Sequence, residues 1–392
     1  MSGTNAGDPA MAFREALALH GQGRLEDAER LYAAVLAAAP EHAGAHLYLG
    51  VLAAMRGRFA EAEAAISRSI AADPINPLAH YNRGNALRDL KRQTDALTSF
   101  ERACILKPDF AQAWSNRAAI LHDLKRLDEA LACYDGAIAS NPGHAEAYSD
   151  RGLVLHDLCR FGEALASFGR AIALKRDYAL AYFNRGVTHR ALGQFDKALD
   201  DFDAATTLNP GHAGSHYNRG STLQDMGRIE EALAGYDRAL ALDPDIAFLE
   251  GWRVHAKMHL CAWDGLAEDI ARLDRHIEEG KPAASPFVLV ASSGSPALQS
   301  ACARIFAAKN YPASDTPIWR GETYRHDKIR IGYMCGEFRE HVTAHFTAGL
   351  FEHHDHAAFE IHAIATGADD GSAIRRRIAA DRKSTRLNSS HT

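Results

Sequence analysis

The sequence predicts an all-α superhelix of seven 34-residue helix pairs, followed by a helical connector and the start of an α/β lobe with a parallel sheet. Three observations support this prediction: an unbroken 34-residue register from Pro9 to Ile246, its loss after residue 246, and a strand–helix–strand pattern after residue 327. The predicted segments are a tail at 1–8, repeats at 9–246, a connector at 247–326, a βαβ segment at 327–380 and a second tail at 381–392.

The register is defined by residue sizes that recur at fixed positions, with Pro9 as position 1 of the first repeat. Position 8 is Gly or Ala in all seven repeats: Ala16, Gly50, Gly84, Ala118, Gly152, Gly186 and Gly220. Position 20 is always Ala: Ala28, Ala62, Ala96, Ala130, Ala164, Ala198 and Ala232. Position 24 is always large and apolar: Tyr32, Ile66, Phe100, Tyr134, Phe168, Phe202 and Tyr236. Small residues let two helices cross closely, and the large residue fills the gap between them. Proline at position 32 ends the second helix in every repeat except the fifth, which has Arg176. The pattern resembles the tetratricopeptide repeat, whose helix pairs stack into a right-handed superhelix with a concave inner wall.

Position 6 of the first helix carries a polar column in repeats 3 to 7, formed by Asn82, Asn116, Asp150, Asn184 and Asn218. Amides spaced one repeat apart can donate and accept hydrogen bonds along an extended peptide backbone. The column therefore predicts peptide binding with little sequence preference, and protein partners along the inner face. The alternative interpretation is a solvated polar face without a ligand.

Two further columns favour structural roles. Arginines fill position 7 and aspartates fill position 13, and we expect them to pair: Arg83, Arg117, Arg151, Arg185 and Arg219 with Asp89, Asp123, Asp157 and Asp225. Histidines recur at positions 4 and 34: His46, His80 and His216, and His42, His144 and His212. Periodic placement favours packing or helix-start roles over metal binding for these histidines.

Composition excludes several classes of protein. A net charge of −6 without a Lys/Arg tract gives no electrostatic case for nucleic acid. No apolar run approaches the roughly 18 residues that a membrane span needs. The six isolated cysteines are typical of a reducing compartment. With no signal-like N-terminus, the expectation is a cytoplasmic protein without membrane or nucleic-acid partners.

After residue 246 the periodicity changes twice. Residues 248–280 and about 298–308 have the apolar spacing of helices. Buried-strand patterns then appear at 328–335 and 359–365, separated by a helix at about 343–351 and followed by one at 373–380. This order is a βαβ unit, whose ligands bind at the carboxyl ends of the strands, where Glu337, Arg339, His341 and His345 fall.

Residues 332–372 read GYMCGEFREHVTAHFTAGLFEHHDHAAFEIHAIATGADDGS. This segment resembles the start of the catalytic region of the O-linked N-acetylglucosamine transferases and SPINDLY proteins, glycosyltransferase family 41, whose repeat arm also carries an asparagine ladder. The resemblance implies a Rossmann-like lobe of the GT-B type and inverting transfer of N-acetylglucosamine from UDP-GlcNAc to Ser/Thr of proteins held by the repeats. It implies no metal and no cofactor besides the sugar-nucleotide donor. SPINDLY-type relatives use a different sugar nucleotide, so the donor stays open. The rival hypothesis is a non-enzymatic repeat scaffold.

His341 and His345 are the candidate catalytic residues. Their i, i+4 spacing places both on one helical face, and three interpretations compete: a zinc pair, a helix start and an active-site pair. The resemblance implies that His341 lies beside the reacting hydroxyl as a candidate base. The cluster 353–356 (His-His-Asp-His) follows the helix in a predicted exposed turn, which disfavours a metal site there.

Residues 381–391 (DRKSTRLNSSH) match one translated frame of a common sequencing-library adapter. We therefore expect this tail to be non-native and the chain to be an incomplete fragment of the family's enzyme. The resemblance implies a donor site between two α/β lobes, so we expect folded repeats but no transferase activity from this polypeptide.

Overall fold

A computed structural model describes residues 8–312, 327–335, 340–353, 355, 357–365 and 371–380. The chain forms two units, Met1–Pro312 and Ala313–Thr392, and each is described by itself. Glu337, Arg339 and the predicted tail at 381–391 lie outside the described residues.

Fourteen helices form the seven predicted pairs. Every first helix runs from position 1 to position 13 and every second helix from position 17 to position 30. In chain order they are α1 (Pro9–Gly21), α2 (Leu25–Ala38), α3 (Ala43–Met55), α4 (Phe59–Ala72), α5 (Pro77–Asp89), α6 (Gln93–Leu106), α7 (Ala111–Asp123), α8 (Leu127–Ser140), α9 (Ala145–Asp157), α10 (Phe161–Leu174), α11 (Ala179–Ala191), α12 (Phe195–Leu208), α13 (Ala213–Asp225) and α14 (Ile229–Leu242). The superhelical repeat fold is confirmed.

The small and large positions of the register pack as predicted. The alanine at position 20 is fully buried in all seven repeats. An added Cβ at Gly152 would lie only 2.6 Å from the Phe168 ring, closer than real Cβ atoms approach another atom. The same clash would occur between Gly84 and Phe100 at 2.7 Å. Glycine at position 8 therefore lets the aromatic ring at position 24 fill the crossing of the two helices.

The position-4 histidines and His42 have the structural roles that their spacing predicts. His46 and His80, at position 4, lie 2.7 and 3.0 Å from the carbonyl oxygens of Pro40 and Pro74, the position-32 prolines of the preceding repeats. His42, at position 34, accepts a hydrogen bond from the Ala45 N–H and caps α3. These contacts satisfy polar groups where one repeat joins the next.

The position-7 arginines are paired, but not with the predicted aspartates. Arg151 donates to Asp135 at 2.6 Å, and Arg219 pairs with Asp203; each carboxylate lies 16 residues earlier, on the second helix of the preceding repeat. The predicted pairing with position 13 is wrong. A residue six positions further along a helix lies about 240° around its axis, so position 13 and position 7 face different neighbours.

The connector continues the first unit with α15 (Leu249–His259), α16 (Leu266–Glu278), α17 (Pro286–Ser292) and α18 (Pro296–Asn310). The sequence predicted one helical stretch at 248–280, but the chain turns between α15 and α16, with Cys261 and Gly265 in the left-handed region at φ 52° and 65°. The helix predicted at about 298–308 is confirmed as part of α18.

A buried ionic network ties the connector to the last repeat. Lys257 donates to Asp269 at 2.7 Å, and Arg253 pairs with both Asp269 on α16 and Asp237 on α14. Burial raises the pKa of the Asp269 carboxyl, but bonds from Lys257, Arg253 and Arg272 outweigh it and lower that pKa to about 2. Asp269 is therefore ionised and held among cations.

The second unit contains β1 (Ile329–Cys335), α19 (Val342–Glu352), β2 (Phe359–Ala365) and α20 (Ala373–Ala380). The strands pair in parallel, with Ile329 opposite Phe359 and Ile331 opposite Ile361. Ala344 and Ala348 of α19 pack with Ile361 and with α20 to form its core. The predicted βαβ order is confirmed.

Candidate functional site

The polar column lies along one face of the repeat unit. Each of its members is the sixth residue of a first helix, from α5 to α13. Successive first helices contact one another, as α7 does α9, α9 does α11 and α11 does α13. The structure therefore arranges Asn82, Asn116, Asp150, Asn184 and Asn218 in one row.

The members of the row differ in their hydrogen bonds. Asn82 and Asn218 donate to carbonyl oxygens of their own helices, Leu78 at 2.8 Å and Gly214 at 2.9 Å. Each amide keeps a second N–H and a carbonyl oxygen for other partners. Both side chains are partly exposed, so they can contact a ligand without losing these bonds.

Asn116 bonds to a residue that sequence reasoning missed. Its amide donates to the Asn85 Oδ1 at 2.8 Å and lies 3.4 Å from the Tyr81 hydroxyl. With Asn82, these residues line a cleft of about 350 Å³ between repeats 2, 3 and 4. Asn85 is the only asparagine at position 9 of the seven repeats. This departure from the register was the sequence signal that could have identified it as a partner of the polar column.

Asp150 and Asn184 have no such partners. The side chain of Asp150 is partly buried and makes no hydrogen bond or ion pair within residues 8–312. Burial raises the pKa of its carboxyl to about 6, although His144 and His122 lower it. Asn184 is 7% exposed, and its amide nitrogen has no hydrogen-bond partner in the described structure.

Charged pairs on the same helices link successive repeats. His122 lies 2.9 Å from Asp157, and Arg190 lies 2.9 Å from Asp225, in each case joining position 12 to position 13 of the next repeat. The carboxylates of Asp157 and Asp225 are therefore balanced, whereas Asp123 and Asp150 have no basic partner within residues 8–312.

His341 and His345 lie at the start of α19. His341 is its N-cap: the Nδ1 atom accepts the Thr343 N–H at 3.2 Å. The Nε2 atom of His345 lies 2.8 Å from the Glu340 carboxylate, and both of these side chains are exposed. Since the cap occupies the Nδ1 lone pair of His341, the neutral ring carries its proton on Nε2 and donates there.

The predicted metal alternatives lie partly outside the described residues. His354 and His356 lie outside the described residues, and the His353 Nδ1 lies 2.7 Å from the Gly349 carbonyl oxygen at the end of α19. Within the described ranges, no group of three or more His, Cys, Asp or Glu residues is arranged to hold a metal ion. The described part of the chain also has no helix with the length and apolar character of a membrane span.

Comparison with protein families gives two kinds of match. Tetratricopeptide-repeat models match residues 13–77, 56–109, 109–177, 179–212 and 213–246. The model of glycosyl transferase family 41 matches residues 315–387. The second match extends into 381–391, whose non-native origin stays a prediction.

Solved repeat structures are similar to part of this chain. YrrB, described as a tetratricopeptide protein with an unusual peptide-binding site, is 26% identical over 49% of this chain and 97% of its own, with a TM-score of 0.42. PilW, a type IV pilus biogenesis factor, is 24% identical over 52% and 94%, with a TM-score of 0.47. A repeat protein from Parabacteroides merdae is 17% identical over 64% and 98%, also with a TM-score of 0.47. The comparison with curated proteins gave no match.

The fold and the repeat matches define a tetratricopeptide-repeat protein. The segment at 315–387 is similar to glycosyl transferase family 41, as the resemblance of residues 332–372 had indicated. The family match supports a glycosyltransferase.

Proposed function

We propose that this chain is part of a protein O-glycosyltransferase that transfers N-acetylglucosamine from UDP-GlcNAc to Ser/Thr hydroxyls of proteins held by its repeats. The proposal rests on one observation, the presence of a polar inner row and a family 41 segment in the same chain. The repeats would hold the acceptor and the α/β segment would contribute to the transfer site, with no metal or additional cofactor.

The polar row supports recognition of peptide backbone. A peptide offers an N–H and a carbonyl at regular intervals, and the amides of Asn82 and Asn218 retain both a donor and an acceptor. Such bonds do not depend on the peptide's side chains. The row would therefore hold many acceptors with similar affinity.

Replacing Asn82, Asn116, Asn184 and Asn218 together with alanine tests this role. We expect weaker binding of several unrelated extended peptides, by roughly tenfold or more since each net hydrogen bond contributes about 1 kcal/mol. Fluorescence anisotropy measures the affinities, and far-UV circular dichroism confirms folding. Thr94, Thr98 and Thr207, exposed on second helices, provide a matched alanine control that should bind normally. Unchanged affinity of the asparagine variant would retire the peptide-binding role.

For His341 we propose a place beside the acceptor hydroxyl. While His341 caps α19, its Nε2–H would donate to an oxygen of the reacting groups; acting as a base at Nε2 would require the bond from Thr343 to open. His345 would remain bound to Glu340 and orient the same helix start.

Two substitutions separate the capping role from the chemical one. His341→Asn keeps a good N-cap but removes the imidazole, whereas His341→Ala removes both. If the imidazole takes part in transfer, both variants should lose about 10²–10⁴-fold in kcat. If His341 is only a cap, His341→Asn should retain activity.

The transfer assay should use the protein expressed from its natural gene, because residues 381–391 are expected to be non-native. Incubation with labelled sugar nucleotides, UDP-GlcNAc first, and a Ser/Thr peptide should give a labelled product. A gene product that binds peptides but transfers no sugar from any donor would instead support the second candidate, a non-enzymatic repeat scaffold. The complete inner row in the repeat unit is the observation that favours that candidate.

A further inference from the structure

One member of the inner row differs in charge. Asp150 occupies position 6 in repeat 5, between Asn116 and Asn184. Aspartate has nearly the shape of asparagine, but it replaces the two amide donors with an acceptor and adds a negative charge at pH 7. The middle of the row is thus chemically distinct from its ends.

The charge of Asp150 is not balanced by the protein. Nearby Glu146 pairs with Lys175 at 3.5 Å, and Asp157 with Lys125 at 3.3 Å, whereas Asp150 has no ion pair within residues 8–312. The titratable groups around its carboxyl are His144, His122, Glu146, Tyr134 and Tyr178.

A second observation places unsatisfied polar groups on the adjoining first helices. The amide nitrogen of Asn184, on α11, is buried without a partner, and so is the hydroxyl of Ser115 on α7. Asp150 lies on α9, between these helices. A buried polar group without a partner costs about 1–3 kcal/mol, so these two groups, on the first helices that flank α9, indicate a place that a ligand completes.

We propose that Asp150 forms a subsite for one basic side chain, lysine or arginine, of a peptide lying in the groove. This inference rests on the proposed peptide-binding function and adds a preference to an otherwise sequence-tolerant row. The ammonium or guanidinium group donates to the carboxylate, and the Asn184 amide donates to a neighbouring carbonyl oxygen of the peptide. A neutral side chain at the same point leaves the carboxylate uncompensated.

The test uses one neutral, extended, fluorescein-labelled peptide and a set of derivatives in which a single lysine is moved along it. At pH 7.5 the best lysine derivative should bind about tenfold more tightly than the same peptide with glutamine there, as expected for a hydrogen bond between charged groups. Asp150→Asn should remove this preference, so that the lysine and glutamine derivatives bind with the same affinity.

Asp123→Asn is the matched control, because it removes the same charge one repeat away from an exposed residue without a basic partner. It should keep the lysine preference, since water screens an exposed carboxylate. At pH 5 the preference should fall in the wild-type protein. The Asp150→Asn protein keeps His122 and His144, so it controls for their titration. It should bind the lysine and glutamine derivatives equally at both pH values.

The outcomes separate the two proposals. Neutral peptides that bind without any lysine preference, or a preference that survives Asp150→Asn, would overturn the subsite alone. Loss of the preference in Asp123→Asn to the same extent would also overturn it in favour of a diffuse field effect. Failure of every peptide to bind would refute the peptide-binding function and the subsite with it.

Discussion

The turn between the two helices of a repeat provides a quantitative test of the fold. Position 15 is in the left-handed region in all seven repeats. Four repeats have glycine there (Gly23, Gly57, Gly193 and Gly227), but the three central repeats have Lys91, Lys125 and Cys159, at φ 62°, 59° and 57°. In each central repeat the backbone N–H of the next residue donates to the carbonyl oxygen five residues earlier, as Arg92 does to Leu87 at 2.9 Å. This bond closes the end of the first helix in the Schellman pattern.

Replacing each of these three residues with glycine should stabilise the repeats. A side chain in the left-handed region costs about 1–2 kcal/mol, and glycine gives back about 0.5–1 kcal/mol through its more flexible unfolded state. The net gain is about 0.5–1 kcal/mol at each site. Because the sites lie in different repeats and do not share partners, the triple variant should gain about 2 kcal/mol.

Urea denaturation of the full chain, followed by circular dichroism at 222 nm in reducing buffer, measures the gain as a higher midpoint. The reverse change, Gly57→Lys, should lower the free energy of unfolding by about 1 kcal/mol. Lys197 is exposed inside α12, and Lys197→Gly should lower the free energy of unfolding by a similar amount because glycine disfavours a helix interior. Since repeat arrays unfold in units, hydrogen exchange at the three turns should slow in parallel. Unchanged or lower stability of all three glycine variants, with a neutral Gly57→Lys, would refute the strain at position 15.

Two further predictions follow from single departures from the register. Arg176→Pro should raise stability by about 0.4–1 kcal/mol in the same urea assay, because six other repeats hold proline there and the preceding Lys175 is already extended at φ −138° and ψ 93°; a loss of stability would contradict this. The pKa of the Asp150 carboxyl is raised above its usual 3.8 to about 6, because burial favours the protonated form. The protonated carboxyl therefore adds its full share to the free energy of unfolding only below pH 4, and this share disappears as the pH rises through 6. Between pH 4 and pH 7 the wild-type protein should therefore lose up to about 3 kcal/mol relative to Asp150→Asn, and parallel stability profiles of the two proteins would contradict the shift.

The repeat unit was predictable because its determinants are local and recur seven times. Small residues at positions 8 and 20 and a large one at position 24 can be satisfied together only where two helices cross. The interruption between α15 and α16 was not predictable in this way. It depends on Cys261 and Gly265 adopting left-handed conformations, and a cysteine carries no signal for that conformation.

Arginine pairing was missed for a different reason. The periodicity placed Arg151 and Arg219 on a structural face, which was correct, but a spacing along one helix does not identify the helix that faces it. Asp135 and Asp203 also share one position of the register, position 25, so periodicity marks their column as it does the column at position 13. Only the packing of a first helix against the preceding second helix distinguishes the two columns.

The same limit explains why the inner row was predictable as a row but not in its chemistry. Asn116 bonds to Asn85, which lies 31 residues earlier at position 9 of the preceding repeat. The residues 31 positions before Asp150, Asn184 and Asn218 are Ala119, Leu153 and Val187, none of which offers a polar side chain. Consequently Asp150 and the Asn184 amide nitrogen stay without partners, and Asn218 turns to its own helix. Position 6 supplies the polar group, but position 9 of the neighbouring repeat decides whether the protein satisfies it or leaves it for a ligand. The groove is therefore most receptive in repeats 5 and 6, where the proposed basic subsite lies.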